Sequence, residues 1–144
     1  MQIGELQLKR FEKSFSYKKQ IYIVDDDESM CRSLKLLMVS YGFTVDTFSS
    51  SEEFFKGVPN SAPGCLILDI HMPKLDGWDA QKRLLESKCT RPVIIISADI
   101  NVGIKERAFK AGAVGFLQKP FKDKELVNMA NLAFIKLEDI NDSY

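Results

Sequence analysis

The chain has 144 residues, of which 45% are hydrophobic and 28% are charged, an ordinary composition for one globular domain. Lys+Arg and Asp+Glu each total 20, so the overall charge does not indicate a nucleic acid or an anionic membrane as partner. No stretch approaches the ~20 apolar residues of a membrane span, and the first residues lack the apolar core of a secretory signal. The three cysteines are scattered, which favours a reducing compartment, and we therefore expect a cytoplasmic protein.

Residues 1–19 form a basic, amphiphilic N-terminal extension. Its positive charges are Lys9, Arg10, Lys13, Lys18 and Lys19. We interpret it as a solvated or disordered tail, with a membrane or dimer role as the alternative. A folded domain is expected over 20–139, followed by a short tail over 140–144.

From residue 20 onward, apolar strands alternate with segments of helical periodicity. Strands are predicted at 21–24, 44–48, 65–68, 93–96 and 113–117. Helices are predicted at 28–41, from Ser50 through Phe55 with a capping box to Glu53, and at 77–87, 101–111 and 122–138. Since the strands are apolar throughout, both faces of their sheet should be covered. The pattern predicts an α/β fold with an open, doubly wound, five-stranded parallel sheet.

Polar side chains follow four of the five predicted strands, where ligands bind in such sheets. They are Asp25, Asp26 and Asp27 after the first strand, Asp69 after the third, Ser97 after the fourth and Lys119 after the fifth. Two unit charges ~4 Å apart repel by roughly 4 kcal/mol at an effective dielectric of 20, so clustered carboxylates need a cation. Mg²⁺ prefers such oxygen ligands, and we expect Asp26 and Asp69 to bind it directly while Asp25 holds a metal-bound water. Lys119 can pair with Asp69 at rest.

Four blocks of the sequence resemble the receiver domains of two-component response regulators. They have the order and spacing of that family and read VDDDE (24–28), LILDIHMPKLDG (66–77), IISAD (95–99) and QKPF (118–121). The resemblance is greatest to the subgroup that includes the nitrogen-fixation and nodulation regulators. It implies a flavodoxin-like (βα)5 fold with strand order 2-1-3-4-5.

The resemblance also implies a phosphorylation site that is centred on Asp69. By this resemblance Asp69 accepts a phosphoryl group from a histidine kinase or a phosphotransfer protein. Asp25 and Asp26 match the acidic pair that holds Mg²⁺, or Mn²⁺, and the backbone carbonyl of His71 matches a further metal ligand. The imidazole of His71 is expected to influence water access to the phosphoaspartate. Asp27 is expected to cap the first helix, since an N-terminal aspartate stabilises a helix start.

Three further residues match the phosphoryl-binding and switch positions of the family. Ser97 matches the hydroxyl that bonds a phosphoryl oxygen, although a serine at a strand end is often only a turn residue. Lys119 matches the invariant lysine, and its bond to Pro120 is expected to be cis. Phe116 is expected to share a strand face with Val114; core packing and a switch role are both open for it.

Three hypotheses for function follow. The first is a phosphorylation switch, with no enzyme activity beyond self-catalysed phosphorylation and dephosphorylation, that remodels the face formed by the helix 101–111, the last strand and the last helix. That face would form a homodimer or bind an effector. The second is the receiver part of a DNA-binding regulator, with no nucleic acid or membrane bound by this chain itself. The third is a phosphatase of the haloacid dehalogenase type, with Asp25-x-Asp27 as its D-x-D motif and Ser97 and Lys119 as its later motifs.

Overall fold

Five short apolar segments pair as parallel strands in the computed structural model, which describes residues 19–70, 91–99 and 103–142. The strands are β1 (Gln20–Val24), β2 (Thr44–Phe48), β3 (Cys65–Asp69), β4 (Val93–Ser97) and β5 (Gly115–Gln118). The helices of the described residues are α1 (Glu28–Ser40), α2 (Ser51–Gly57), α3 (Gly103–Lys110) and α4 (Asp123–Asp142). The strands lie in the order β2-β1-β3-β4-β5, and every neighbouring pair is parallel. The predicted fold class and strand order are confirmed.

The sheet buries apolar side chains on both faces, because successive residues of a strand point to opposite sides. In β1, Ile21 and Ile23 belong to one buried cluster and Tyr22 and Val24 to the other. Helices α1 and α4 cover the first cluster, whereas α2 and α3 cover the second. The central strands β3 and β4 are buried at every position, which is why their sequences are apolar up to their last residues, Asp69 and Ser97.

The caps of the first two helices follow the sequence closely. The Asp27 carboxylate accepts hydrogen bonds from the N–H groups of Ser29 (3.0 Å) and Met30 (3.3 Å), which confirms it as the N-cap of α1. The hydroxyl of Ser50 accepts the N–H of Glu53 at 3.1 Å, as predicted. The Glu53 carboxylate, however, accepts the N–H of Ser49 at 3.1 Å, so only one half of the expected capping box forms.

Two element boundaries differ from the prediction. Strand β5 begins at Gly115, two residues later than expected, because the N–H of Ala113 still bonds to the carbonyl of Ala108 at the end of α3. Helix α4 continues to Asp142, four residues beyond the predicted end, since no glycine or proline follows Pro120 to terminate it. The predicted helix over 77–87 lies outside the described residues. None of the described helices is long and apolar enough to cross a membrane.

Candidate functional site

The parallel register brings the carboxyl ends of β1, β3 and β4 together at one edge. Val24 lies level with Leu68, so Asp25 and Asp69 follow at neighbouring positions. Asp69 lies opposite Ile96, and Ser97 is the next residue of β4. The site is therefore built by strand order, from residues that are far apart in the sequence.

Lys119 places a positive charge at this edge. Its Nζ lies 3.1 Å from Oδ2 of Asp69 and 3.4 Å from Oδ2 of Asp25. Burial alone would lower the pKa of the Lys119 ammonium, but the carboxylates of Asp69 and Asp25 outweigh it and raise this pKa above its usual value. The Lys119–Pro120 peptide bond is cis, as the family resemblance implied. The ammonium therefore stays charged between two carboxylates that would otherwise repel each other.

Three carboxylates form a cluster with the donor chemistry of a hard cation site. Asp25, Asp26 and Asp69 each offer one oxygen, and these three oxygens lie within 4.8 Å of one another. Asp25 and Asp69 are buried, whereas Asp26 is exposed. Carboxylate oxygens are the ligands that Mg²⁺ and Mn²⁺ prefer, so the residues present fit the expected metal. The further ligand expected at His71 lies outside the described residues.

Two hydrogen bonds that the sequence did not indicate hold Asp25, one through its carboxylate and one through its backbone. Its Oδ1 accepts the N–H of Asp27 at 3.0 Å, and its backbone carbonyl accepts the thiol of Cys31 at 3.3 Å. Burial raises the pKa of Asp25, the Asp27 N–H opposes that rise, the Asp69 carboxylate adds to it and Lys119 opposes it. The resulting pKa is about 6, above the ordinary value of 3.8. Asp27 thus connects α1, which it caps, to the acidic cluster through the hydrogen bond that its N–H donates to Asp25.

Ser97 is fully buried at the end of β4. Its hydroxyl oxygen accepts the N–H of Asp99 at 3.0 Å, and its carbonyl accepts the N–H of Lys119 at 2.7 Å. The second bond joins Ser97 directly to Lys119, whose ammonium pairs with Asp69 and Asp25. Ser97 and Lys119 therefore lie together at the edge, as predicted.

Phe116 is half-buried and packs on the cluster that contains Tyr22 and Val24. Val114 packs on the opposite cluster, so the prediction that these two residues share a strand face is wrong. The reason is that Val114 precedes the first residue of β5 and does not follow its alternation. Core packing of Phe116 is confirmed, and its switch role stays a prediction.

Comparison with known proteins points to one family. The family model "Response regulator receiver domain" matches residues 21–131. The response regulator protein TodT of Pseudomonas putida is 42% identical over 113 residues, which cover 78% of this chain and 50% of TodT. The transcriptional regulatory protein FixJ of Bradyrhizobium diazoefficiens is 37% identical over 121 residues, which cover 84% of this chain and 59% of FixJ. The chain thus spans about half the length of these relatives.

A solved structure agrees with the fold. The crystal structure of FixJ-N superposes with a TM-score of 0.76 at 32% sequence identity. The superposition covers 81% of this chain and 94% of FixJ-N. The resemblance to response regulator receiver domains that the sequence blocks indicated is confirmed.

Replacing Asp25 should stabilise the metal-free protein in a pH-dependent way. Because the pKa of Asp25 is higher in the folded chain, at about 6, than the ordinary 3.8, this carboxyl penalises folding once it ionises, and the penalty is complete above pH 6. Asp25→Asn removes that penalty and should raise the free energy of unfolding at pH 7.5 by up to about 3 kcal/mol, the equivalent of the rise in pKa from 3.8 to about 6. The gain should shrink as the pH falls from 6 towards 4.

Urea denaturation in the presence of a chelator, repeated across this pH range, measures the difference. Asp46→Asn on the exposed side of β2 is the control, because it removes a carboxylate away from the cluster. A gain that stays constant or grows at low pH would contradict the assignment of the penalty to Asp25.

Proposed function

The chain belongs to the response regulator receiver domain family, and we propose that it accepts a phosphoryl group on Asp69 from a histidine kinase or a phosphotransfer protein. The observation that carries the proposal is the buried Asp69 carboxylate, 3.1 Å from the Lys119 ammonium and beside two further carboxylates. A structural ion pair would need one acid, whereas a cluster of three acids, two of them paired with the same lysine, suits a site that also takes a cation and a phosphoryl group. The family match favours this function over the phosphatase hypothesis.

Phosphoryl transfer requires mainly that the chain align the reacting groups and neutralise their charge. An Asp69 oxygen attacks phosphorus, the bond from phosphorus to the donor nitrogen breaks, and an acyl phosphate results. The Lys119 ammonium can leave the carboxylate and pair with a phosphoryl oxygen, while the Ser97 hydroxyl donates to another. Mg²⁺ or Mn²⁺, held by Asp25, Asp26 and Asp69 with the His71 carbonyl, would supply positive charge for the remaining oxygens.

The output that we propose is a change of the face formed by α3, β5 and α4. Ser97 bonds to Lys119 at the end of this face, and Phe116 lies half-buried within β5. Phe109 on α3 and Leu132 on α4 are 44% and 59% exposed, so both helices of this region carry exposed apolar side chains that a second copy or an effector could cover. The relatives TodT and FixJ are about twice as long as the region matched, and FixJ is named a transcriptional regulatory protein. Joined to such an output module, the switch would control transcription.

We also propose that the reaction takes place in the cytoplasm, where a reducing environment would keep thiols such as Cys31 and Cys65 free, as they are here. We propose no catalysis on a separate substrate: the only turnover would be formation and loss of the chain's own acyl phosphate.

A cavity beside the site suits contact with the phosphodonor protein. Its volume is about 500 Å³, and it opens between α1 and the segment that follows β5. The lining is mainly apolar and consists of Met30, Ser33, Leu34, Leu37, Lys119, Pro120, Phe121 and Asp123. Because Lys119 belongs both to this cavity and to the phosphoacceptor site, a protein that brings its histidine to Asp69 must come close to it. An apolar side chain of the donor would fill the cavity.

Asp69 should be the only residue that becomes phosphorylated. With acetyl phosphate and Mg²⁺, the intact mass should increase by one phosphoryl group, and Asp69→Asn should abolish the increase. Asp46→Asn, on an exposed position of β2, should retain it. A gain that survives in Asp69→Asn, or turnover of a generic phosphomonoester, would contradict the proposal.

A charge in the cavity should impair transfer from a protein donor and spare the reaction with acetyl phosphate. Leu37→Asp places a carboxylate in the apolar lining and should slow transfer by about tenfold or more, the usual effect of a lost interface anchor. Leu36→Asp is the matched control, because Leu36 is 73% exposed on the same helix and does not line the cavity. Autophosphorylated histidine kinases of the source organism, compared at early times, provide the measurement. Equal slowing by the two variants would rule out this docking site.

A further inference from the structure

The switch hydroxyl of Ser97 is engaged by its own loop. Its oxygen accepts the backbone N–H of Asp99 at 3.0 Å, and Ser97 is fully buried. Among the described residues, the Asp99 N–H is the hydrogen-bond partner of the Ser97 side chain. The Asp69 carboxylate instead pairs with Lys119. The two groups that must meet during phosphorylation therefore start with different partners.

We propose that Asp99 is a positioning residue whose backbone N–H holds the Ser97 hydroxyl in the resting arrangement and opposes its movement towards the phosphoryl group. The proposal rests on the proposed phosphorylation of Asp69. It assigns to Asp99 a role that depends on its amide hydrogen and not on its carboxylate.

The backbone of Ser97 is fixed independently of this bond. Its carbonyl accepts the N–H of Lys119 at 2.7 Å, and the carbonyl of the preceding Ile96 accepts the N–H of Ile70 at 3.3 Å. The end of β4 is thus tied to its neighbours on both sides. With its backbone held, the hydroxyl would reach a phosphoryl oxygen by rotation of the Ser97 side chain, and under the proposal this rotation breaks the bond to the Asp99 N–H.

A hydrogen bond that forms only in the resting arrangement of Ser97 shifts the equilibrium between the resting and active arrangements towards the resting one. One intramolecular hydrogen bond changes such an equilibrium by roughly 2- to 10-fold, so its removal should increase the population of the active arrangement by that factor. The phosphorylation rate and the affinity for a phosphoryl analogue should rise together by the same factor.

The test compares two substitutions at one position. Asp99→Pro and Asp99→Ala both remove the carboxylate, and only proline removes the amide hydrogen. We expect Asp99→Pro to bind beryllofluoride with Mg²⁺ roughly 2- to 10-fold more tightly than Asp99→Ala, as titration calorimetry would measure. Equal or weaker binding by a folded Asp99→Pro protein, checked by circular dichroism, would overturn the proposal.

A Ser97→Ala background separates the hydrogen bond from other effects of proline. Proline also restricts Ala98, and that restriction is the same in both backgrounds. The ratio of the beryllofluoride affinities of Asp99→Pro and Asp99→Ala should therefore fall to one when the Ser97 hydroxyl is absent. A ratio that persists without the hydroxyl would show that Asp99 acts by another route.

Amide hydrogen exchange tests the bond without any phosphoryl chemistry. In the metal-free chain the Asp99 amide should be protected, and Ser97→Ala should accelerate its exchange about fivefold, relative to the amides of β4. Unchanged exchange would overturn the proposal. If the unsubstituted chain bound no beryllofluoride while this exchange effect was present, the proposed function would fail and the hydrogen bond would stand.

Discussion

The contact between the Lys119 ammonium and the carboxylates of Asp69 and Asp25 is the constraint on which the site depends. A buried carboxylate is costly unless a positive group or hydrogen bonds accompany it, and Asp25 and Asp69 are both buried. Lys119 lies within 3.4 Å of each and offsets their repulsion. A metal ion can neutralise part of the carboxylate charge, and the Lys119 ammonium can then pair with a phosphoryl group. The resting ion pairs thus hold in place the groups that the reaction needs.

The fold explains why these groups meet. Parallel strands place all their carboxyl ends on one edge, and the order β2-β1-β3-β4-β5 sets β1, β3 and β4 side by side. Packing on both faces fixes the register, because the side chains of each strand fit against particular partners in one of the two buried clusters. Asp27 then links this edge to α1, since it caps the helix and donates its N–H to Asp25.

Strand positions and the residues that follow them could be predicted, because burial on both faces leaves an apolar pattern in the sequence. The start of β5 could not, since Ala113 completes the hydrogen bonding of α3 through a contact that no pattern marks. The same holds for the bond from Asp99 to Ser97, which depends on loop geometry. Arg91 shows this limit most clearly: it is 7% exposed, and its guanidinium lies 5.1 Å from the Tyr22 ring centroid and bonds the carbonyl of Ala62 at 2.7 Å. An arginine before an apolar strand would ordinarily be read as solvated.

The most direct test of the central claim is the Mg²⁺ affinity of the chain with and without the Lys119 charge, measured by titration calorimetry. Because the ammonium occupies the oxygens that a metal would share, Lys119→Met should bind Mg²⁺ about tenfold more tightly or better, whereas Lys122→Met, which removes an exposed charge, should differ by less than about twofold. Affinity that is unchanged or weaker in Lys119→Met would contradict the account.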